Sequence, residues 1–305
     1  MRARAAEARV SRGLYRLPPA GSASPDPATL AAWQRALPPG GAFSHLTGAL
    51  LRGWWVPPLP PDLPVFAAVC GTDPRPRRDG LLVCRHPRPI DMEQLGGLRV
   101  ASPGEILLAV ARDLGLLDLV ILGDAALHLG ACTPADLRRT VERPRRGAPA
   151  LGRALTYLDE RSESPWESLL RLLHVLCRVP VEPQYVIADR NRSFRGDLRI
   201  VGTPRLAEYD GSVHREVRQQ AKDLARERRL HQLGWERYGY TASDVLHGGV
   251  SILRDADAAL GRPHDARRIR PWHRELAASM FSPAGLARVR LRWASQQARQ
   301  HRARS

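Results

Sequence analysis

The second half of the chain contains the feature that most constrains its fold, a series of one helix, three short strands, one helix and one strand. Ser164, Pro165 and Glu167 form a capping signature that opens an apolar helix, and Pro180 ends it. A second helix spans residues 215–233. The strand patterns are QYVIA, FRGDLRIV and RLAEYD between the helices and WERYGY after them. This order predicts an α/β (α+β) core, with a three-stranded antiparallel meander followed by a helix and a fourth strand.

Three acids cluster in the second and third strands of this meander. A turn at Gly202–Thr203 places Asp197 directly opposite Glu208, and alternation puts Asp210 on the same face as Glu208. Directly opposed carboxylates repel each other, unless a divalent cation neutralises them. Carboxylate oxygens suit Mg²⁺ or Mn²⁺, so the pattern predicts a metal site formed by Asp197, Glu208 and Asp210. The alternative is a register shifted by one residue, which leaves these acids solvated.

Four other residues are candidates for supporting roles at this site. His214 follows Asp210 and is either a ligand, a base or a cap of the following helix. Glu167 is a supporting acid or serves only the capping signature at Ser164. Asp223 and Arg226 lie one helical turn apart, where they either support the site or pair with each other.

Proline and glycine divide the first half of the chain into short elements. SHLTGALLRGWW is typical of a helix capped by Ser44, and VFAAVC and GLLVCRH are typical of strands. A further helix begins at Ser102, with Pro103 and Glu105 in capping positions, and runs to Gly115. The basic segment ERPRRGAPALG is typical of a linker.

The charge of the chain points to a polyanionic partner. The formal net charge is +16 with a pI near 11.0, although 46 of the 47 basic residues are arginine, which is also expected of a GC-rich genome. A basic C-terminal helix begins at Ser282 and Pro283. Its candidate DNA contacts are Arg288, Arg290, Arg292 and Arg299. The alternative is a solvated arginine-rich face.

Cysteine spacing and hydropathy limit the other classes. The four cysteines show no C-x-x-C spacing, which favours a reducing compartment over a disulfide or zinc scaffold. Charged residues interrupt the most apolar stretch, residues 106–129, so it is not expected to span a membrane. We therefore expect a cytoplasmic protein.

The motifs GDLRIVG, EYDGSVH, KDLARERRLHQLGWE and TASDV add a family resemblance. Residues 162–246 resemble the Vsr-like domain-of-unknown-function family of the restriction-endonuclease-like PD-(D/E)xK superfamily. The resemblance implies that Asp197 and Glu208 are the metal-binding acids and that His214, Asp223 and Arg226 belong to the site. Asp210 stands where many nucleases of the superfamily have lysine; His214, Arg226 or Lys222 are the residues available to replace it.

The first half resembles a different family more loosely. RGLYRLP, SHLTGALLRGWW and RVASPGEILLAVARDLG are similar to segments of AbiEi-type antitoxin domains, with only the end of the winged helix present. The expected organisation is an antitoxin-like domain at residues 1–160, a Vsr-like domain at 161–247 and a basic helical extension at 248–305.

Together these observations lead to two hypotheses for function. The first is a metal-dependent DNA endonuclease that uses Asp197, Glu208, Asp210 and His214 with Mg²⁺ or Mn²⁺. The second is a non-catalytic, antitoxin-like regulator or DNA-binding protein that keeps a nuclease fold. A cognate toxin would then be a protein partner.

Overall fold

A computed structural model describes residues 8–11, 14–16, 27–189, 192–211 and 217–302 of the chain. They form an α/β fold of helices around three sheets. The strands are β1 (Ala8–Ser11), β2 (Leu14–Arg16), β3 (Ala42–Phe43), β4 (Val65–Cys70), β5 (Leu81–His86), β6 (Met92–Leu95), β7 (Leu98–Ala101), β8 (Val181–Asp189), β9 (Arg192–Ile200), β10 (Arg205–Tyr209) and β11 (Glu236–Tyr240).

The helices lie on and between these sheets. They are α1 (Pro27–Arg35), α2 (His45–Leu51), α3 (Pro103–Val110), α4 (Leu116–His128), α5 (Pro134–Glu142), α6 (Ala148–Leu155), α7 (Pro165–Leu176), α8 (Val217–Gln232), α9 (Ala242–His247), α10 (Gly249–Ala259), α11 (Arg270–Ala277) and α12 (Pro283–Arg302), with a 3-10 turn at Ala266–Ile269.

The C-terminal sheet confirms the predicted order of elements. Its strands lie in the order β11-β10-β9-β8; β8, β9 and β10 form the antiparallel meander, and β11 pairs with β10 in parallel. A parallel neighbour needs a crossover connection, which α8 supplies. Gly202 has a φ of 82°, a left-handed conformation that allows the tight turn between β9 and β10.

The N-terminal half contains a five-stranded mixed sheet in the order β5-β4-β3-β7-β6. Its strands β4 and β5 lie where the sequence predicted them. The capping signature at Ser102 predicts the start of a helix correctly but not the cap bond or the end of the helix. Helix α3 begins after Ser102 with Pro103 in its first turn, but the Ser102 side chain makes no capping hydrogen bond and α3 ends at Val110. The Ser102 amide, which the Glu105 carboxylate would cap, donates to Asp91 O at 2.7 Å, and Glu105 is buried and pairs with Arg145 instead.

The hydrophobic core extends through all three segments that the sequence predicted as units. One cluster of buried side chains runs from Leu30 to Trp293. A buried ion pair crosses the boundary predicted at residue 160: Arg171 on α7 donates to Asp124 on α4 over 2.7 Å. The five-stranded sheet of the N-terminal half and the C-terminal sheet are therefore joined by packed helices rather than by an exposed linker alone.

Helix α12 packs against the first half of the chain through polar anchors. The Gln300 side chain, 1% exposed, accepts from Val83 N at 3.1 Å and donates to Leu81 O at 3.2 Å. Both partners lie on β5, the edge strand of the mixed sheet. Trp293 Nε1 donates to Asp113 over 3.1 Å, so hydrogen bonds anchor α12 at two positions along its length.

In the described ranges, no helix combines the length and the hydropathy that crossing a bilayer requires.

Candidate functional site

The strand register brings the first two predicted acids together. Leu206 pairs with Arg199 and Ala207 with Leu198, and the next step of this antiparallel register sets Glu208 opposite Asp197. The prediction of this hairpin register is confirmed. Both side chains therefore stand on one face of the C-terminal sheet.

Glu208 is buried and held by two guanidinium groups. It is 4% exposed. Arg226 from α8 binds both of its carboxylate oxygens, with Nη1 to Oε2 at 2.9 Å and Nη2 to Oε1 at 2.7 Å. Arg237 from β11 adds a bond from Nε to Oε2 at 2.5 Å. This arrangement, the arginine clasp of Glu208, balances a buried negative charge with charge-assisted hydrogen bonds.

Asp197 has a quite different electrostatic environment. Its Oδ2 accepts a hydrogen bond from Tyr209 N at 2.8 Å. Burial, together with the negative charges of Glu167 and Glu208, raises the pKa of Asp197 to about 7, although the Tyr209 bond and Arg226 oppose the shift. The carboxyl group therefore exchanges its proton near neutral pH.

Glu167 both caps α7 and contributes charge to the site. Its Oε1 accepts from the hydroxyl of Ser164 at 2.8 Å, and Ser164 Oγ accepts from Glu167 N at 3.2 Å. Its Oε2 accepts from Glu163 N at 2.9 Å and from Gln184 Nε2 at 2.8 Å. The predicted capping role is confirmed, and the negative charge of the same carboxylate contributes to the raised pKa of Asp197.

Asp210 lies beside the clasp rather than within it. The closest Arg237 nitrogen, Nη2, is 3.9 Å from Asp210 Oδ2. Among the other candidates, His214 lies outside the described residues. Lys222 and Asp223 fall on α8, but their side chains are outside the description. Arg226 uses its guanidinium on Glu208 and on Arg195 O, at 2.7 Å from Nη2.

In this arrangement, the carboxylates of Asp197, Glu208 and Glu167 do not fit a divalent cation shared between Asp197 and Glu208. Each oxygen of Glu208 already accepts from an arginine, and each oxygen of Glu167 accepts from a neighbour. Within the part of the chain that the structure describes, no three His, Cys, Asp or Glu side chains form a metal-binding group. Guanidinium groups occupy the two oxygens of Glu208 that a shared cation would need.

The predicted DNA-contacting arginines of α12 have mixed roles. Arg290 pairs with Asp62 at 2.6 Å, and Arg292 pairs with Asp113 at 2.5 Å. Arg288 donates to two backbone carbonyl oxygens, of Asp113 at 3.2 Å and of Ala278 at 3.0 Å. Arg299 is exposed and has no hydrogen bond or ion pair to any described residue. Most of these side chains therefore help to hold α12 in place.

Arg237 is the functional residue that sequence reasoning missed. It lies in WERYGY, and the parallel register pairs it with Leu206, two residues before Glu208. A single arginine between aromatic residues in a short strand is a weak signal. The partner becomes visible only once the order of β10 and β11 is known.

Comparison with known proteins finds relatives of unknown activity. The chain is 28% identical over 159 residues to the uncharacterized proteins MT2308 and Rv2248 of two Mycobacterium tuberculosis strains, CDC 1551 and H37Rv. The match covers 50% of this chain and 59% of each relative, so the chain spans about three-fifths of their length. No family model matches the chain. No solved structure matches it either.

Proposed function

We propose that the protein binds DNA as a non-catalytic, antitoxin-like regulator built on a Vsr-like, restriction-endonuclease-like core. The observation that carries this proposal is the arginine clasp of Glu208. Arg226 and Arg237 supply to the buried acid the positive charge that a metal ion supplies in a metal-dependent nuclease. The core topology and the opposed acids support nuclease ancestry, and the clasp favours loss of the chemistry.

The charge distribution supports DNA as the partner. The net charge of +16 favours a polyanion, and residues 266–305 hold ten arginines against a single acid, Glu275. Exposed arginines on α12 contact phosphates without reading sequence. A cytoplasmic location follows from a DNA partner, and a cognate toxin is the protein partner that the antitoxin-like resemblance implies.

A metal-dependent endonuclease is the second candidate, favoured by the environment of Asp197. Burial and, after it, the charges of Glu167 and Glu208 raise the pKa of Asp197 to about 7, so a cation such as Mg²⁺ or Mn²⁺ would find neighbouring negative charge there. This function requires Arg226 to release Glu208 first. Because Asp210 stands in the position of the superfamily's lysine, His214 or Lys222 would have to take the role of that lysine.

One pair of assays separates the two candidates. Binding to a labelled duplex is measured as a function of salt, and cleavage of double- and single-stranded DNA is measured with Mg²⁺ or Mn²⁺. The regulator binds with a steep salt dependence that Arg290→Gln reduces, and it cuts neither substrate. Metal-dependent cutting that disappears in both Asp197→Asn and Glu208→Gln would establish the endonuclease instead. Absence of salt-dependent DNA binding would contradict both candidates.

A further inference from the structure

A second charged site, which shares no residue with the acid pair, lies between the N-terminal half of the chain and α12. A cavity of about 420 Å³ opens between β5, the start of α2 and the C-terminal turns of α12. Its lining includes one carboxylate, that of Asp113. The cavity is also lined by six arginines: Arg75, Arg85, Arg112, Arg146, Arg292 and Arg299. We call it the arginine pocket.

The single carboxylate of this pocket is already committed. Asp113 accepts from Arg292 Nε at 2.5 Å and from Trp293 Nε1 at 3.1 Å, and it lies 3.2 Å from His45 Nε2. Burial alone would raise the pKa of Asp113, but His45 and Arg292 lower it to about 2. None of the other five arginines has an ion pair with a carboxylate in the described part of the chain.

Two groups in the inner part of the pocket have shifted pKa values, to which burial and neighbouring positive charge both contribute. Burial and the nearby charges of Arg85 and Arg77 lower the pKa of Arg75, which Cys84 partly offsets. Although burial opposes it, contacts with His86 and Arg112 lower the pKa of the Cys84 thiol. Because the pKa of the Cys84 thiol is lowered despite its burial, the neighbouring His86 and Arg112 create a local field that stabilises an anion.

Two arginines at the opening are uncommitted. Arg146 and Arg299 are exposed, and neither has a hydrogen bond or ion pair to any described residue. The buried ring of His45 also lines the pocket, from a left-handed backbone with a φ of 53°, which is unusual for a residue with a side chain. Strained backbone of this kind is retained most often at binding and catalytic sites.

From these observations we propose that the arginine pocket binds a small phosphorylated molecule, with a diphosphate group as the recognised element. Guanidinium groups match phosphate oxygens in geometry as well as charge. The volume lies within the range of roughly 300–1,000 Å³ that is usual for small-ligand sites. Because Arg75 and Arg112 are half-buried inside the cavity, the ligand has to enter the pocket, which the side of a DNA duplex does not do.

Calorimetric titration of the whole protein with pyrophosphate tests this proposal. We expect saturable binding in wild type and a loss of about tenfold in affinity in each of Arg146→Gln and Arg299→Gln, since each removes a charge-assisted contact. Both positions are exposed, so the variants are expected to fold, which circular dichroism checks. Sodium chloride at equal ionic strength is the control for screening.

Matched variants separate this pocket from DNA binding. Arg143→Gln removes an exposed arginine close to Arg146, and Arg290→Gln removes one from α12; neither residue lines the pocket. Both should bind pyrophosphate like wild type, and Arg146→Gln should bind duplex DNA like wild type. Equal weakening of pyrophosphate binding in all four variants, or no saturable binding in wild type, would overturn the proposal. These results leave the DNA assays of the proposed function unaffected.

Discussion

The acid pair and the arginine pocket combine the same two chemical groups in opposite proportions. At the acid pair, Arg226 and Arg237 bind Glu208, and the negative charges of Glu208 and Glu167 act on Asp197. In the arginine pocket, six arginines face one aspartate. The pKa values of the two aspartates differ accordingly: it is about 7 for Asp197 and about 2 for Asp113.

The two sites also differ in how far neighbouring groups neutralise their charged side chains. At the acid pair, the clasp neutralises Glu208, and the shifted pKa allows Asp197 to keep a proton. In the arginine pocket, Arg146 and Arg299 have no partner among the described residues. Charge excess alone therefore does not identify a ligand site; uncommitted groups in a cavity do.

The most severe test of the clasp is removal of the Glu208 charge. Glu208→Gln leaves Arg226 and Arg237 close together without their shared carboxylate, and we expect unfolding to become easier by about 3–5 kcal/mol. Urea denaturation measures the change. Glu182→Gln is the matched control, because Glu182 is 43% exposed and lies 3.6 Å from Arg199 in the same sheet. A loss below about 1 kcal/mol would show that the clasp is dispensable.

Asp197→Asn should change the pH dependence of stability. The folded protein holds the Asp197 proton up to about pH 7, whereas the ordinary pKa is 3.8. The folded state therefore binds more protons between these values, and wild-type stability falls as pH rises through this window. Asparagine removes that loss, so the variant should gain about 4 kcal/mol over wild type by pH 8 and almost nothing near pH 4. Parallel curves would refute the raised pKa. Asp79→Asn, at a side chain 95% exposed, is the control.

Asp113→Asn should alter the curve at the acidic end and in the opposite direction. The pKa of Asp113 is lowered from 3.8 to about 2, so its contribution is present above pH 4 and disappears as pH falls toward 2. We expect the variant to be less stable by about 2 kcal/mol at pH 6 and to approach wild type near pH 2. Asp91→Asn, at an exposed position, should differ little at any pH. An unchanged gap at pH 2 and 6 would mean that packing, not charge, accounts for the loss.

The smallest expected effect concerns the anchor of α12. Gln300→Ala leaves the Val83 amide without its acceptor, at a cost of about 1–2 kcal/mol. Hydrogen exchange should accelerate at Val83 in particular. Gln297→Ala, one turn earlier and half-buried, should stay within about 0.5 kcal/mol of wild type. Equal exchange in both variants would argue against the anchor.

Local chemistry made much of the C-terminal sheet predictable. The Gly-Thr-Pro turn and alternation along the strands were enough to place Asp197 opposite Glu208, because a hairpin register depends on a few adjacent residues. The Ser164 cap with Glu167 was predictable for the same reason. At Ser102 the same signature failed to predict the capping box: the Ser102 side chain makes no cap bond, the Ser102 amide donates to Asp91 O, and Glu105 pairs with Arg145.

The remaining features depend on contacts between distant parts of the chain. The clasp needs Arg237, which reaches Glu208 only because α8 crosses over and sets β11 beside β10. The arginine pocket joins β5 to α12, more than 200 residues apart, as the 217-residue separation of Val83 and Gln300 shows. The sequence predicts only that the arginines of α12 form a basic face. Packing against the rest of the chain gives Arg292 and Arg299 different environments.

The contact of Gln300 with β5 also bears on self-association. An edge strand exposes unpaired amide and carbonyl groups, which another chain can use to extend the sheet. The side-chain amide of Gln300 occupies one such donor and one such acceptor, and the helix that carries it covers part of the edge. Helix α12 thereby protects the mixed sheet from intermolecular pairing. A chain cut before Pro283 is expected to form β-rich assemblies at concentrations where the intact chain scatters no light.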